Sequence, residues 1–447
     1  MSMTVTGTRE LTVQAPVVSR WRSRLRMNTM PGKLRLLVFG LVAVCLAWGA
    51  LAAFTASQYS SAASGVVTTG EPLTVDAQHI YQDLSNANDT EATAFLSGGL
   101  EPFSLRDAYL ADINGAAAAI EAATSMDGTS AGGTSRDLVT LSTELPVYTG
   151  EIETARAGNR LGYPLGAAYL REATTLMNGT LLPAAERLYT AENGSLTATS
   201  AQATGLPLAA VTIVIGLAII ALLYRTSRWL TRRTNRLLNV GLLAAGIAAL
   251  ASLIWLAAVY AGARGDLLNA QARGSAPVTA MARADIAALQ AHADESLTLI
   301  DDSGDDSYQA NYLTLQKSLG PGNGTLLTAA SSAAAGSPGA GQANAAVTHA
   351  QAWYAAHVKL RSLDDNGNHA AAVASALGSK AGDAGGEFAA LSGDLTNGIT
   401  ADQAAFGTSA RAGENMYTGL EAAVIVLALV MAAGCAWGLS RRLQEYR

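Results

Sequence analysis

The fold is decided by residues 206–260, which read LPLAAVTIVIGLAIIALLY, then RTSRWLTRRTNR, then LLNVGLLAAGIAALASLIWLAAVY. Each apolar run is about as long as the roughly 20 helical residues that cross a bilayer. The segment between the runs carries five arginines and no acidic residue. Because short loops rich in Lys and Arg stay on the cytoplasmic side, this stretch predicts a helical hairpin through a membrane with its turn inside the cell.

Two further apolar runs lie near the two ends of the chain, and only 14% of the 447 residues are charged. That charge content is low for a soluble protein, so a multi-pass protein of the plasma membrane is predicted. Both ends are rich in Lys and Arg, whereas the two long segments carry 6 basic against 17 acidic residues and 8 against 15. Both termini are therefore expected in the cytoplasm, with two domains outside. The predicted order is a cytoplasmic N-terminus (1–35), span one (36–54), an extracellular domain (55–205), span two (206–224), a cytoplasmic loop (225–236), span three (237–260), a second extracellular domain (261–418), span four (419–439) and a cytoplasmic tail (440–447).

The two long segments are predicted to be copies of one layout, since aligning Pro72 with Pro277 also aligns Asp89 with Asp294. Apolar residues recur at three- and four-residue spacing, which predicts an all-α protein with an up-down-up-down four-helix bundle in each segment. The first and fourth helices of each bundle are expected to enter the spans without a hinge. Breaks one and three would then lie at the membrane-distal tip. The predicted breaks are 97–102, 127–134 and 158–164 in the first segment and 301–306, 320–342 and 364–368 in the second.

Four motifs are distinctive: residues 81–102 (YQDLSNANDTEATAFLSGGLEP), 148–164 (YTGEIETARAGNRLGYP), Trp353-x3-His357 and Asp364-Asp365-x-Gly367. They resemble the GlnX-like family of actinobacterial four-pass membrane signalling proteins. The layout is also similar to the four-helix-bundle sensor domains of bacterial chemoreceptors.

This resemblance implies a transmembrane signal relay. Proteins of that family are expected to sense an extracytoplasmic amino-acid-binding protein loaded with glutamate or aspartate. They would pass the signal to a soluble cytosolic Ser/Thr protein kinase. Two alternatives stay open: a direct small-molecule sensor that uses the first bundle, and a non-sensory membrane scaffold.

The predicted tip of the first bundle has three interpretations besides ordinary turn chemistry by Gly and Pro. In the first interpretation the tip is a docking surface for another protein, because Arg and Tyr are frequent interface anchors. In the second it is a small-ligand site in which Asp89, with Arg106 or Arg156, holds the charged groups of an amino acid. Otherwise these side chains form solvated ion pairs between helices. The candidate residues are Asp89, Glu101, Arg106, Tyr109, Arg156, Arg160 and Tyr163.

The predicted tip of the second bundle is acidic, which suggests a basic partner or calcium. The spacing does not fit an EF-hand, so no metal site is predicted. His349, Trp353 and His357 share one helical face and are expected to form a packed seam. The acidic candidates for partner binding are Asp301, Asp302, Asp305, Asp306, Asp364 and Asp365.

The cytoplasmic loop is expected to contact anionic lipid, to dock a cytosolic partner, or both. Gly434-x3-Gly438 in span four permits close helix approach and is the sequence hint of a homodimer. The candidates for cytoplasmic partner binding are Arg225, Arg228, Trp229, Arg232, Arg233 and Arg236.

Other functional classes find little support in the sequence. No GxSxG, HExxH or GxxxxGK[ST] pattern occurs, and the cytoplasmic segments are too short for a kinase, so no enzyme is expected. The middle spans carry no ionisable residue, which argues against transport. The basic clusters are short and predicted to lie at the membrane, so no nucleic-acid partner is expected. Cys45 and Cys435 lie in apolar runs and predict neither a disulfide framework nor a cofactor site.

Overall fold

The computed structural model describes residues 30–126, 133–234, 239–301 and 306–444. All regular secondary structure in those ranges is helical, which confirms the all-α prediction. The α-helices are α1 (Met30–Gly65), α2 (Glu71–Leu96), α3 (Phe103–Met126), α4 (Gly133–Arg160), α5 (Leu165–Leu176), α6 (Leu182–Thr204), α7 (Pro207–Thr234), α8 (Val240–Ala270), α9 (Ala276–Ile300), α10 (Ser307–Leu319), α11 (Leu326–Ala333), α12 (Ala340–Asp365), α13 (His369–Ala376), α14 (Ala384–Asn415) and α15 (Leu420–Gln444).

Three π-helical turns interrupt the regular α-helical pattern in the described residues. Each of them directly precedes a helix that has a proline in its first turn. They are Val66–Gly70 before Pro72, Met177–Leu181 before Pro183, and Gln271–Ser275 before Pro277. Proline lacks an N–H and its ring crowds the carbonyl four residues earlier, so the preceding turn widens. The first and third π turns are separated by the same 205 residues that separate Pro72 from Pro277, which supports the predicted duplication.

The chain divides into two compact units, and the first contains the apolar helices. Four helical stretches, containing α1, α7, α8 and α15, are long and apolar enough to cross a membrane, as predicted. Inside this unit the Trp48 indole N–H donates to the Thr212 carbonyl at 3.2 Å, and the Thr55 and Thr212 hydroxyls are 2.9 Å apart. These bonds satisfy polar groups that would find no hydrogen-bond partner in the surrounding hydrocarbon of a membrane.

The glycine pair of α15 packs against α8 of the same chain. A Cβ on Gly438 would lie 2.9 Å from the Gly241 Cα, and one on Gly434 would lie 2.8 Å from the Gly241 carbonyl oxygen. The Asn239 amide also donates to the Gly438 carbonyl at 2.9 Å. Close approach therefore occurs as expected, but within the chain, so the glycine pair gives no support to a homodimer.

The second unit holds two helical repeats, residues 56–206 and 258–418. In the first repeat, α2, α3, α4, α5 and α6 surround one apolar core that includes Ile80, Tyr148 and Leu170. The observed helix ends at Leu96 and Arg160 agree with the predicted first and third breaks. Most of the second predicted break, residues 127–132, lies outside the described residues.

The second repeat contains more helices than the four predicted. Its core surrounds Trp353, which is fully buried between α9, α10, α12 and α14. The low-complexity stretch 320–342 contains the short helix α11, whose Leu327 and Ala330 are buried. A further short helix, α13, precedes α14 and buries Ala372 and Ala376. Alanine has high helix propensity, so α11 forms within a stretch that composition alone indicated to be a connector, and α13 follows the predicted 364–368 break as a separate short helix.

The prediction that the first and last helices of each repeat join the apolar helices without a hinge agrees with the structure at two of the four junctions. α1 continues through its π turn into α2, and α8 continues in the same way into α9. The last helix of each repeat, α6 or α14, instead ends before the apolar helix that follows it. Gly205 is extended (ψ 139°) between α6 and α7, and Gly419 has a positive φ of 78° between α14 and α15. Glycine adopts both conformations at little cost, which explains the two breaks.

The two repeats pack against each other through their first helices. The Gln82 amide donates to Asp285, and Thr93 lies opposite Ser296, each pair being 203 residues apart in sequence. A constant offset along two helices means that α2 and α9 run parallel. The two segments are thus joined along their first helices within a single chain.

Candidate functional site

The first and third breaks of the first repeat come together at one end of its helices. α2 ends at Leu96, and Gly98 and Gly99 follow it with φ values of 67° and 61°. Such conformations favour glycine, which therefore ends the helix and turns the chain. The Asn159 amide, near the end of α4, donates to the Phe95 carbonyl at 3.1 Å and joins the two turns.

A buried arginine lies beneath these turns. Arg156 is 4% exposed. Its Nε and Nη2 groups donate to the Glu91 carboxylate, the shortest distance being 2.6 Å. Its Nη1 donates to Glu153 at 2.7 Å, and Nη2 lies 3.1 Å from Glu101. The guanidinium also lies over the Tyr109 ring, 4.3 Å from its centroid. The Arg156 side chain of α4 thus contacts α2, α3 and the turn between them.

The acidic groups around Arg156 outnumber the nearby cations. Burial raises the pKa of Glu91, and the Arg156 guanidinium that donates to its carboxylate opposes that rise. Arg106 lies 4.0 Å from Glu101 and 3.9 Å from Glu153, so it adds only peripheral attraction. Arg156 therefore already has its full set of anionic partners. The structure gathers Glu101, Arg106, Tyr109 and Arg156 as one cluster, and sequence reasoning missed Glu91 and Glu153 in it.

Above this cluster the turns expose apolar side chains. We call this set the tip surface: Leu100, Phe103, Leu161, Tyr163 and Leu165, which are between 59% and 80% exposed. Arg160, the last residue of α4, is exposed and directly precedes Leu161. Isolated exposed apolar residues are common, but several on two adjoining turns form the kind of patch that marks an interaction site. Of these five, only Tyr163 was among the sequence candidates; the signal for the rest was apolar residues inside Gly- and Pro-rich turns.

Asp89 lies away from this cluster and pairs with the second repeat. Its carboxylate is 2.6 Å from the Nδ1 of His292, whose ring stacks on Phe388 with centroids 3.8 Å apart. Burial disfavours the charged imidazole, but the adjacent Asp89 carboxylate outweighs it, so the pKa of His292 is raised. The predicted amino-acid site that combines Asp89 with Arg106 or Arg156 is absent from the described contacts, because Arg156 binds Glu91, Glu101 and Glu153 instead.

The acidic candidates of the second repeat are partly neutralised. Asp364 accepts from Arg361 at 2.8 Å and lies 2.8 Å from His369, while Asp365 accepts from Arg361 at 3.0 Å. Asp301 lies 3.6 Å from Arg171 of the first repeat. Asp306 is exposed at the start of α10, and Asp302 and Asp305 lie outside the described residues. Within the described residues no group of three His, Cys, Asp or Glu side chains is arranged to hold a metal ion.

The predicted histidine seam is built around a carboxylate that the sequence analysis did not single out. Buried Glu295 accepts from the Trp353 indole at 2.9 Å and contacts the His357 Nδ1 at 2.7 Å. Tyr312 stacks on His357 with centroids 3.7 Å apart. His349 lies outside this network and contacts Asp394 at 2.6 Å. Because the Glu295 carboxylate, the Trp353 indole and the His357 Nδ1 satisfy one another, this network stabilises the core of the second repeat.

The basic candidates near the end of α7 remain accessible. Arg225, Arg228, Trp229 and Arg232 are exposed, and the Arg228 guanidinium donates to the Tyr224 hydroxyl at 3.3 Å. Arg233 belongs to the last turn of α7, and Arg236 lies outside the described residues. Both basic and aromatic side chains are thus presented where the helix ends.

Comparison with known proteins identifies one region of similarity. Residues 62–201, about a third of the chain, match the family model described as an actinobacterial sensor domain. The match covers nearly the whole first repeat, including the buried Arg156 cluster and the tip surface. It supports a sensory signalling role for a protein whose helices are suited to a membrane. Searches of curated proteins and of solved structures gave no match.

Proposed function

We propose that this protein is a transmembrane signal-relay receptor of the plasma membrane, with both termini in the cytoplasm and both helical repeats outside. It would sense an extracytoplasmic amino-acid-binding protein loaded with glutamate or aspartate. The signal would pass to a cytosolic Ser/Thr protein kinase. The observation that carries this proposal is the tip surface, five exposed apolar side chains on the two turns above the buried Arg156.

The tip surface favours a protein over a free amino acid as the direct signal. Glutamate and aspartate need a cation for their carboxylates, and the buried cation here is already bound by Glu91, Glu101 and Glu153. Burial of leucine, phenylalanine and tyrosine side chains against another protein surface instead lowers the free energy, because it removes their apolar surface from water. The exposed Arg160 beside them supplies a typical rim charge.

The output would leave the membrane at the basic end of α7. Arg225, Arg228, Trp229 and Arg232 are exposed there and suit either anionic lipid or an acidic partner surface. The helical conformation runs from α1 to α2 and from α8 to α9 through one π turn each, so a shift in either repeat would have a helical connection along which to pass. Packed helices that slide by one or two ångströms are a common switching device.

The proposal is tested by binding of the full-length protein, in lipid nanodiscs, to the extracytoplasmic glutamate- or aspartate-binding protein, with and without its amino acid. We expect the loaded form to bind, and Phe103→Asp and Leu161→Asp each to weaken binding at least tenfold. The matched control is Val139→Asp, because Val139 is also a largely exposed apolar residue of the first repeat but lies near the other end of α4.

The other outcomes separate the alternatives. Saturable binding of the free amino acid alone would replace the relay by a direct small-molecule sensor. Indifference to both ligands and to the tip substitutions would support a membrane scaffold. The kinase step is tested separately, by neutralising Arg225, Arg228 and Arg232 together and measuring kinase recruitment to the membrane; unchanged recruitment would contradict it.

A further inference from the structure

A cavity lies between the two repeats, apart from the tip surface and the Arg156 cluster. It holds about 860 Å³ of empty space, including its open mouth. One wall comes from α2 and the start of α3, and the opposite wall comes from α9, the end of α13 and the start of α14. Because both repeats contribute, an occupant would contact the two halves of the sensor unit at once.

Among the described residues, the only ionisable ones in the lining are Asp89 and His292. They contact each other at 2.6 Å, so the pair that joins the repeats also forms part of the cavity wall. His292 is 5% exposed, and its Nε2 has no hydrogen-bond partner in the described structure. A buried polar nitrogen without a partner is costly, and an oxygen atom of a bound molecule would satisfy it.

The remaining lining is hydroxylic or apolar. Four hydroxyl side chains, Thr90, Thr93, Ser97 and Ser104, come from the first repeat. Leu377 and Phe388 of the second repeat, together with Leu105, add apolar surface. Neutral hydroxyls donate and accept hydrogen bonds equally well, so this wall suits a ligand that carries hydroxyl groups.

The charge of the cavity restricts the ligand further. A protonated His292 beside an ionised Asp89 makes a pair with no net charge, and the part of the chain that the structure describes places no Lys or Arg in the cavity wall. A ligand with a net charge would lose its hydration without gaining a counter-ion, which is costly in a partly enclosed site. Net neutrality is therefore the favoured property.

We infer that this cavity binds an uncharged, hydroxyl-rich small molecule of the sugar or polyol class, which bridges the two repeats beside Asp89 and His292. The site is independent of protein docking at the tip surface.

The test uses the full-length protein in lipid nanodiscs and measures thermal unfolding with increasing concentrations of D-glucose, myo-inositol or xylitol. D-gluconate, D-glucosamine and L-glutamate are the charged comparison probes. We expect a saturable rise in Tm with at least one uncharged probe, and at least tenfold weaker binding of every charged probe. A ligand that binds only the folded state raises its stability in proportion to its occupancy.

Two variants and one control connect binding to the cavity. His292→Gln should weaken binding at least tenfold. Ala389→Trp should abolish it by filling the cavity from an exposed rim position, where folding is little affected. The control is His349→Gln, which removes another His–Asp contact, with Asp394, that does not line the cavity.

The inference is overturned if no uncharged probe binds saturably, if a charged probe binds better, or if binding survives Ala389→Trp. Docking of the amino-acid-binding protein to Ala389→Trp should be unchanged. Failure of the cavity inference is therefore distinguishable from failure of the proposed relay.

Discussion

Removal of the Arg156 guanidinium should open the first repeat locally, because it leaves a buried carboxylate without its partner. Glu91 is 1% exposed and receives hydrogen bonds from two guanidinium nitrogens of Arg156. Breaking one side of a buried ion pair costs about 3–5 kcal/mol. We therefore expect Arg156→Met to lower the free energy of opening α2 and α4 by that amount. Since each 1.4 kcal/mol is tenfold, amide exchange there should accelerate by about 100-fold or more.

The assay is hydrogen exchange of the full-length protein read by mass spectrometry, because it measures local opening rather than a global transition. The matched control is Arg187→Met. Arg187 donates to Asp137 at 2.8 Å, but its side chain is 60% exposed, so its loss should cost at most about 1 kcal/mol.

A double variant separates the missing charge partner from the missing side-chain volume. Arg156→Met with Glu91→Leu removes both charges, and buried ion pairs replaced by apolar residues are often neutral in stability. It should recover at least half of the lost opening free energy. The reasoning is refuted if Arg156→Met exchanges within tenfold of the native protein, or if it matches Arg187→Met.

Three other perturbations have expected outcomes. Burial raises the pKa of Asp294 to about 7, so the folded state binds a proton that the unfolded state has released above about pH 4. Stability from this group should therefore fall as pH rises towards 7, and thermal unfolding of Asp294→Asn should lack that loss, a difference of about 2–4 kcal/mol at pH 8. Gly438→Leu should destabilise the apolar unit by about 1–3 kcal/mol in detergent unfolding, because its side chain meets α8 backbone, whereas Gly246→Leu, with open space around its Cβ, should not. Cys45 and Cys435, both buried and in thiol contact, should form a disulfide with a membrane-permeant oxidant. Proteolysis between them, followed by a non-reducing gel, detects that bond, and its absence would contradict the contact between α1 and α15.

The features that the sequence alone determined are local ones. Apolar runs of about 20 residues identify the four membrane-suited helices, because partition into hydrocarbon depends on the composition of each segment. Glycine and proline place the turns at 97–102 and 161–164, because these residues limit the backbone at their own positions. The repeat of 205 residues was also visible, and the two π turns follow from the prolines that it aligns.

What only the tertiary structure decided is which side chains meet. Asp89 was grouped with the arginines of its own repeat, but it pairs with His292, 203 residues away. Arg156 was a candidate for surface contacts, yet it is buried. It binds Glu91, which is 65 residues away in the sequence but belongs to the same repeat. The glycine pair of α15 was a dimer hint, and Gly241 of the same chain occupies it. Such pairings depend on how distant helices pack, a property of the whole fold that no local pattern of residues contains.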